Sequence, residues 1–227
     1  MALPAVLFDV DGTLVDSNYL HVHAWHRAFR KLSIPVECWR IHRGIGMDGS
    51  ALAKELAGDD QADAAKQLQS QFYEELIPLL QPLPGARALL DAVAEHDLQV
   101  VLASSAPEDE LSALRKVLGR DDIVSVATDS GDVETAKPSP DIVEVALGRA
   151  GVEAEDAVFV GDSVWDVRAA ARAGLQCVGV LSGGTSRHEL ETEGAATVWE
   201  NAQDLLDHLG DTPIAALRGQ FSRGRPA

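Results

Sequence analysis

The chain has 227 residues, 46% hydrophobic and 24% charged, a composition typical of a globular protein with a substantial core. Its formal net charge of −17 disfavours a nucleic-acid partner, because binding nucleic acid requires clusters of Lys and Arg that neutralise phosphates. It has two cysteines, no secretory leader pattern, and no apolar run near the roughly 20 residues needed to span a bilayer. These features predict a cytoplasmic protein with neither disulfides nor a membrane partner.

Short apolar runs alternate with helical patterns along most of the chain. The runs are typical of buried parallel strands, and the intervening segments are typical of helices that cover both faces of a sheet. The predicted strands are residues 5–8, 98–102, 123–126, 158–160, 177–181 and 196–199. The predicted helices of this layer are residues 85–95, 108–118, 140–150, 164–173 and 202–209. The predicted fold class is therefore α/β, a doubly wound and mainly parallel sheet with right-handed connections.

The interval between the first and second predicted strands breaks this alternation. Its helical patterns cover residues 21–32, 50–56 and 61–80, with no convincing strand among them. We interpret it as a small all-α cap domain, residues 17–83, inserted after the first strand. The core domain then comprises residues 1–16 and 84–215, and Pro82, Pro84 and Gly85 form the return hinge. Residues 216–227 are predicted to form a loosely ordered tail.

Polar side chains follow the carboxyl ends of several predicted strands, where a doubly wound sheet has its ligand-binding crevice. The set comprises Asp9, Asp11, Gly12, Ser104, Ser105, Asp162 and Asp166, with Lys137 before the helix that follows the third strand. Several of these residues also have a local structural explanation: a turn after the first strand, helix N-caps at Ser104 and Asp162, and a solvated loop at Lys137. Those explanations do not require the groups to face one another, whereas a shared site does.

Four segments resemble, in order and spacing, the motifs of the haloacid dehalogenase-like (HAD) hydrolase superfamily. They are DVDGTLVDS at residues 9–17, VLAS at 101–104, KPSPD at 137–141 and GDSVWD at 161–166. The first and fourth are specific, whereas a Ser after apolar residues is weak by itself. The helical insertion lies where the subclass with an α-helical cap carries it. The resemblance implies a Rossmann-like HAD core with that cap.

The resemblance also implies phosphoryl-transfer chemistry with Mg²⁺ as the cofactor. Asp9 is the expected nucleophile, which forms an aspartyl-phosphate, and Asp11 is the expected general acid and base. The expected Mg²⁺ ligands are Asp9, Asp162 and the backbone carbonyl of Asp11, since Mg²⁺ prefers oxygen donors. The expected phosphate contacts are Gly12, Ser104, Ser105 and Lys137. Asp166 is expected to orient Lys137 or a metal-bound water.

Asp11 favours a phosphatase over the dehalogenase branch of the superfamily, because a halide leaves without needing a proton. The expected partner is a small phosphorylated metabolite, a phosphomonoester such as a sugar phosphate or phosphoglycolate. The cap residues expected to contact it are His21, Arg43, Ile45 and Met47. The oligomeric state is left open between a monomer and a homodimer.

Two alternatives belong to other functional classes. The cap entry at residues 16–25, with His21 and Trp25 four residues apart, resembles that of β-phosphoglucomutase-like enzymes. A mutase needs a second phosphate-binding group in the cap, and Arg43 is the one basic residue of the loop at 43–49. A catalytically weak phosphate- or Mg²⁺-binding module would be expected to have lost Asp9, Asp11 or Lys137. The cap histidines do not predict a zinc site, because no two of them are i, i+4 on a helix.

Overall fold

The computed structural model describes residues 2–132, 137 and 139–221, with side chains up to residue 217. At its centre is a six-stranded, entirely parallel sheet of order β3-β2-β1-β4-β5-β6. The strands are β1 (Ala5–Phe8), β2 (Gln99–Ala103), β3 (Val124–Thr128), β4 (Ala157–Gly161), β5 (Gln176–Val180) and β6 (Thr197–Trp199). The predicted α/β class is confirmed, and all six predicted strands are present.

The helices lie on both faces of the sheet and in the interval after β1. They are α1 (Asn18–Lys31), α2 (Cys38–Arg43), α3 (Gly49–Ala57), α4 (Asp59–Glu74), α5 (Ala86–Glu95), α6 (Glu108–Leu118), α7 (Asp141–Ala150), α8 (Val164–Arg172), α9 (Arg187–Glu193), α10 (Ala202–Asp207) and α11 (Pro213–Phe221). Short 3₁₀ helices cover Ile77–Leu79, Ser130–Asp132, Ala154–Asp156 and Leu209–Asp211. In the described part of the chain, no helix is long and apolar enough to cross a membrane.

Two of the predicted boundaries are wrong. The helix predicted over residues 61–80 stops at Glu74, and a separate 3₁₀ turn follows around Pro78, which has no amide hydrogen to donate within a longer α-helix. The tail predicted from residue 216 begins inside α11, whose residues Ile214 and Leu217 are buried against the core. Their burial holds this helix in place. Residues 222–227 lie outside the described part of the chain.

The sheet has an apolar layer on each face, as the continuous hydrophobic runs predict for parallel strands. β1 shows this directly, since all four of its residues are fully buried. Val6 and Phe8 belong to the core on one face, whereas Leu7 belongs to the core on the other. β1 is hydrogen-bonded to β2 on one side and β4 on the other. The position of Asp9 is therefore set by two strands.

The interval between β1 and α5 has its own apolar core. Trp25, Phe29, Ile41 and Leu52 are buried there, in a cluster separate from the two that flank the sheet. The segments that leave and re-enter the core run side by side: the Asp16 amide donates to the Gln81 carbonyl at 2.9 Å, and the Leu83 amide donates to the Leu14 carbonyl at 2.9 Å. A separately packed unit on a paired connection suits rigid-body motion. We call helices α1 to α4 with their loops the cap.

Candidate active site

Two carboxylates meet where the strand order reverses, between β1 and β4. Asp9 follows β1 and Asp162 follows β4, and their side chains are buried. With Asp166, in the first turn of α8, each supplies a carboxylate oxygen to a group whose members lie within 4.8 Å of one another. The sheet thus brings together residues that lie far apart in the sequence, as a shared site requires.

Lys137 joins two of these carboxylates. Its Nζ lies 2.6 Å from Oδ1 of Asp9 and 2.8 Å from Oδ1 of Asp166, and the side chain is fully buried. Burial opposes the charge of the ammonium, but the charges and hydrogen bonds of Asp166 and Asp9 outweigh it and raise the pKa of Lys137. The ammonium therefore stays protonated. Lys137 is therefore not a solvated loop residue, which was the local explanation for it.

A capping box at the start of α8 holds Asp166. Its Oδ2 accepts hydrogen bonds from the amide and the hydroxyl of Ser163, at 3.0 and 2.6 Å, and the Ser163 hydroxyl accepts from the Asp166 amide. The N-cap of α8 is thus Ser163. Asp162 does not cap this helix, so the local explanation for it does not hold. The arrangement matches the predicted orienting contact of Asp166 with Lys137.

Asp162 lies in a tight polar environment. Its oxygens accept from the Thr13 hydroxyl at 3.1 Å and from the Asn18 amide at 2.8 Å. A Cβ at Gly183 would lie 1.6 Å from Oδ2 of Asp162, so this approach of the backbone requires glycine. Gly12 has φ of +71°, and its amide donates to the Val15 carbonyl at 2.8 Å. That bond does not support the predicted phosphate contact by Gly12.

Buried negative charge exceeds positive charge at this end of the sheet. Burial, with Asp166 and Asp11 adding to it and Lys137 opposing it, raises the pKa of Asp9 to about 7. Burial and the charges of Asp166 and Asp9 also raise the pKa of Asp162 well above its usual value. A bound cation would relieve this excess, and carboxylate oxygens are the donors that Mg²⁺ prefers. The residues present therefore fit a magnesium site.

The Asp11 carboxylate forms a separate pair with His21 of the cap. Its Oδ1 accepts from the Ser17 hydroxyl at 2.5 Å and lies 3.2 Å from Nε2 of His21, whose ring stacks on Tyr73 with centroids 4.0 Å apart. Burial opposes both charges, but the contact outweighs it, lowering the pKa of Asp11 and raising that of His21. Coordination through the Asp11 backbone carbonyl stays a prediction.

We expect replacement of His21 by Gln to destabilise the metal-free protein most between about pH 4 and pH 6.5. The contribution of Asp11, whose pKa is lowered, is lost as the pH falls through that pKa. The contribution of protonated His21, whose pKa is raised, is lost as the pH rises through its own. Urea unfolding in EDTA should show a pH-dependent deficit of about 1.5–3 kcal/mol at about pH 5.5 that narrows at about pH 9.

The matched control is His23→Gln, since His23 is exposed on the same helix. It should change the free energy of unfolding by less than about 0.5 kcal/mol at both pH values. A His21→Gln deficit that is the same at both values would show that His21 acts only by packing on Tyr73.

A cavity of about 110 Å³ lies between the core and the cap. The predicted site residues that line it are Asp9, Asp11, Ser105 and Asp162 of the core and His21, Ile45 and Met47 of the cap. Arg43 is not among its lining residues, and its substrate contact stays a prediction. Its guanidinium pairs with Glu189 of α9, and its carbonyl accepts from Nε1 of Trp165 at 3.2 Å. Arg43 therefore ties the cap to the core.

The two neighbouring serines after β2 differ in their surroundings. The Ser104 hydroxyl is fully buried outside the cavity wall and accepts from the Ala106 amide at 3.0 Å. α6 begins four residues later with Pro107 at its N-cap position, so Ser104 does not cap it. Ser105 lines the cavity, and its buried hydroxyl has no hydrogen-bond partner among the described residues. Of the two, Ser105 is the better placed to meet a ligand in this cavity.

Sequence reasoning missed further residues of the cavity wall, among them Asn18, Lys66, Gln69 and Glu110. Gln69 carried a usable signal, because it is a polar residue on the buried face of α4. It lies 3.4 Å from Nδ1 of His21. The others look like ordinary solvated polar residues in the sequence, and only the docking of the cap on the core places them at the cavity.

The site combines a buried carboxylate paired with a lysine and a nearby acidic residue suited to a metal, under a helical cap. These are the features of a capped α/β hydrolase. The family model of the haloacid dehalogenase-like hydrolases matches residues 3–174, and the chain belongs to this family. The family model, together with relatives that are phosphatases, confirms the predicted enzyme class, a phosphatase. The resemblance carried by the four sequence motifs is thereby confirmed.

The relatives span nearly the whole chain. A phosphoglycolate phosphatase from Rhodospirillum rubrum is 33% identical over 221 residues, which cover 91% of this chain and 90% of that protein. The crystal structure of a hydrolase from Pseudomonas syringae is 37% identical, with a TM-score of 0.87, and covers 92% of this chain and 98% of that one. A β-phosphoglucomutase from Clostridium difficile has a TM-score of 0.81 at 19% identity and covers 96% and 98%. The last likeness concerns the fold alone.

Proposed function

We propose that this enzyme is a Mg²⁺-dependent phosphatase that hydrolyses a small phosphomonoester through an aspartyl-phosphate on Asp9. The observation that supports it most is the Asp9 carboxylate itself. Its Oδ1 is held at 2.6 Å by Lys137, while Oδ2 has no hydrogen-bond partner among the described residues and Asp9 lines the cavity. One oxygen is thus anchored and the other is available to attack phosphorus.

Asp9, Asp162 and the Asp11 carbonyl would hold the cation, which when bound screens the charges of the phosphate and of Asp9. Asp9 attacks phosphorus and the ester oxygen leaves. Asp11 passes a proton to that oxygen, and later removes one from the water that cleaves the aspartyl-phosphate. The contact of His21 with Asp11 keeps a proton within reach of the leaving group, because it raises the pKa of His21. Lys137 holds Asp9 and donates toward the phosphate, and the free Ser105 hydroxyl supplies a further donor.

The cavity favours a hydrolase over a phosphomutase. Two observations are shared with the mutase hypothesis, the His21–Asp11 contact and the fold. A bisphosphate, however, needs a second cluster of basic groups, and Arg43 is turned away to Glu189. Among the described lining residues, Lys66 is the one Lys or Arg, and the acidic residues Asp48 and Glu110 line the same cavity. Adding β-glucose 1-phosphate with its bisphosphate activator and following glucose 6-phosphate tests the mutase directly.

We expect hydrolysis of p-nitrophenyl phosphate by the purified chain to require Mg²⁺. EDTA should reduce the rate by at least about 100-fold, because Lys137 alone does not offset the repulsion between the phosphate and the buried carboxylates. Excess Mg²⁺ should restore the rate, and Ca²⁺ at the same concentration should not, since Ca²⁺ prefers more ligands and longer bonds. A rate unaffected by EDTA would contradict the metal assignment. No metal-dependent release from any of a broad phosphomonoester panel would favour a binding module.

The proposed substrate is a compact phosphorylated metabolite. The cavity of about 110 Å³ is well below the ~300–1,000 Å³ typical of sites for drug-sized ligands. Sugar phosphates and phosphoglycolate both belong to the class that the panel should cover. We also propose a cytoplasmic location, which the two unpaired cysteines, Cys38 and Cys177, support.

A further inference from the structure

One carboxyl group at the cavity is not used by the chemistry proposed above. Glu110 lies in the first turn of α6, on the core, and lines the cavity together with Lys66 and Gln69 of cap helix α4. Its side chain is partly buried, whereas the preceding residues Glu108 and Asp109 are exposed. Glu110 therefore faces the space that the non-phosphate part of a substrate would occupy.

The Glu110 carboxyl has no partner of its own in the part of the chain that the structure describes. No hydrogen bond or ion pair to its oxygens is formed by residues 2–132, 137 or 139–217. Lys66, the nearest candidate by charge, is exposed at the cavity and donates to the Ser50 hydroxyl at 2.7 Å. The Glu110 oxygens thus have no donor among the described residues, and a ligand that brings a donor to the cavity can use them as acceptors.

The electrostatic surroundings indicate which donors suit this position. Burial raises the pKa of Glu110 to about 7, with His21 lowering it and Asp11 raising it. A second carboxylate brought close by a substrate would meet the charges of both Glu110 and Asp11. A neutral hydroxyl meets no such repulsion, and it can donate to Glu110 in either of its protonation states.

We propose that Glu110 is a specificity-determining residue that accepts a hydrogen bond from a hydroxyl group of the substrate. It selects hydroxylated phosphomonoesters, of the sugar or polyol class, over phosphomonoesters that end in a carboxylate. Gln69 and Lys66, on the opposite wall, supply donors for the remaining oxygens of such a compound. This inference rests on the proposed phosphatase function and narrows its substrate class.

The test compares kcat/KM in the Mg²⁺-loaded full chain for four probes: p-nitrophenyl phosphate, glycerol 1-phosphate, glucose 6-phosphate and 2-phosphoglycolate. The wild type should prefer at least one hydroxylated probe to 2-phosphoglycolate. Glu110→Ala should lower kcat/KM for that probe by about 10- to 100-fold, the loss expected for a hydrogen bond to a charged group, and should change p-nitrophenyl phosphate by less than about threefold. Glu110→Gln, which removes the negative charge, should raise kcat/KM for 2-phosphoglycolate.

Glu108→Gln is the matched control, because it neutralises an exposed carboxylate on the same turn of α6 and should leave all four values unchanged. The inference is overturned if the Glu110 variants alter every probe by the same factor, or if the wild type prefers 2-phosphoglycolate to both hydroxylated probes. Either result leaves the phosphatase proposal standing. Absence of Mg²⁺-dependent hydrolysis of p-nitrophenyl phosphate by the wild type would instead refute the phosphatase proposal, and this inference with it.

Discussion

Replacing Asp9 by Asn should lower kcat by on the order of 10⁴-fold or more while leaving the protein folded, since an amide oxygen cannot form the covalent intermediate. The Asn oxygen can still accept the 2.6 Å hydrogen bond from Lys137. The substitution also removes a charge that the folded state disfavours, because burial raises the pKa of Asp9 to about 7. Above that pH, in EDTA, the unfolding midpoint in urea should therefore match or exceed that of the wild type.

The control for this variant is Asp16→Asn, which makes the same chemical change at an exposed position of the same motif. It should retain the activity of the wild type. Intact mass must be checked beforehand, because slow deamidation of the introduced asparagine would regenerate Asp9 and restore some activity. Phosphatase activity close to the wild-type value in a preparation free of Asp9 would rule out the covalent mechanism.

Replacing Lys137 by Met should lower both stability and activity. The substitution leaves two buried carboxylates, Asp9 and Asp166, without the ammonium that lies 2.6 and 2.8 Å from them. Removal of one partner from a buried ion pair typically costs about 3–5 kcal/mol, and we expect a loss of this size in the free energy of unfolding in EDTA at about pH 8. The loss should shrink as the pH falls, because Lys137 opposes protonation of Asp9 and without it the carboxyl takes up a proton more readily.

Mg²⁺ should reverse part of this loss by placing positive charge next to the same carboxylates, and kcat should still fall by about 100-fold or more. Lys116→Met is the matched control, because Lys116 is exposed on α6 and its loss should cost less than about 0.5 kcal/mol. Equal stability of Lys137→Met and the wild type at about pH 8 in EDTA would show that the ammonium does not compensate the cluster.

The cap contributes to both the chemistry and the enclosure of the cavity. His21 reaches Asp11 from α1, while Arg43 and His42, at the end of α2, reach the core at Glu189 and at the Gly183 carbonyl, the latter at 2.9 Å. One side of the cap thus completes the acid–base pair and the other side bridges to the core. Docking of the cap on the core and formation of the His21–Asp11 contact are therefore linked in this arrangement.

Much of the fold was predictable because its signals are local. Buried parallel strands leave continuous apolar runs, and all six were recognised with small errors at their ends. Helices α2, α9 and α11 were not predicted; α2 and α9, of six and seven residues, span too few turns to leave clear periodicity. Asp9 and Asp162 could be placed at one crevice from the sequence because the carboxyl ends of parallel strands lie at the same edge of a sheet, whereas the strand order itself came from the structure.

The sequence by itself determined the class of the fold, the inserted cap and the acidic residues that meet beyond β1 and β4. Only the tertiary structure decided that Ser105 rather than Ser104 lines the cavity, that Arg43 pairs with Glu189, and that Glu110 lies beside the site. Strand ends follow from hydrophobic periodicity and sheet topology, which are local or general rules. The direction of a loop side chain and the pairing of residues across the cap and the core depend on packing between distant segments, and no local pattern encodes that packing.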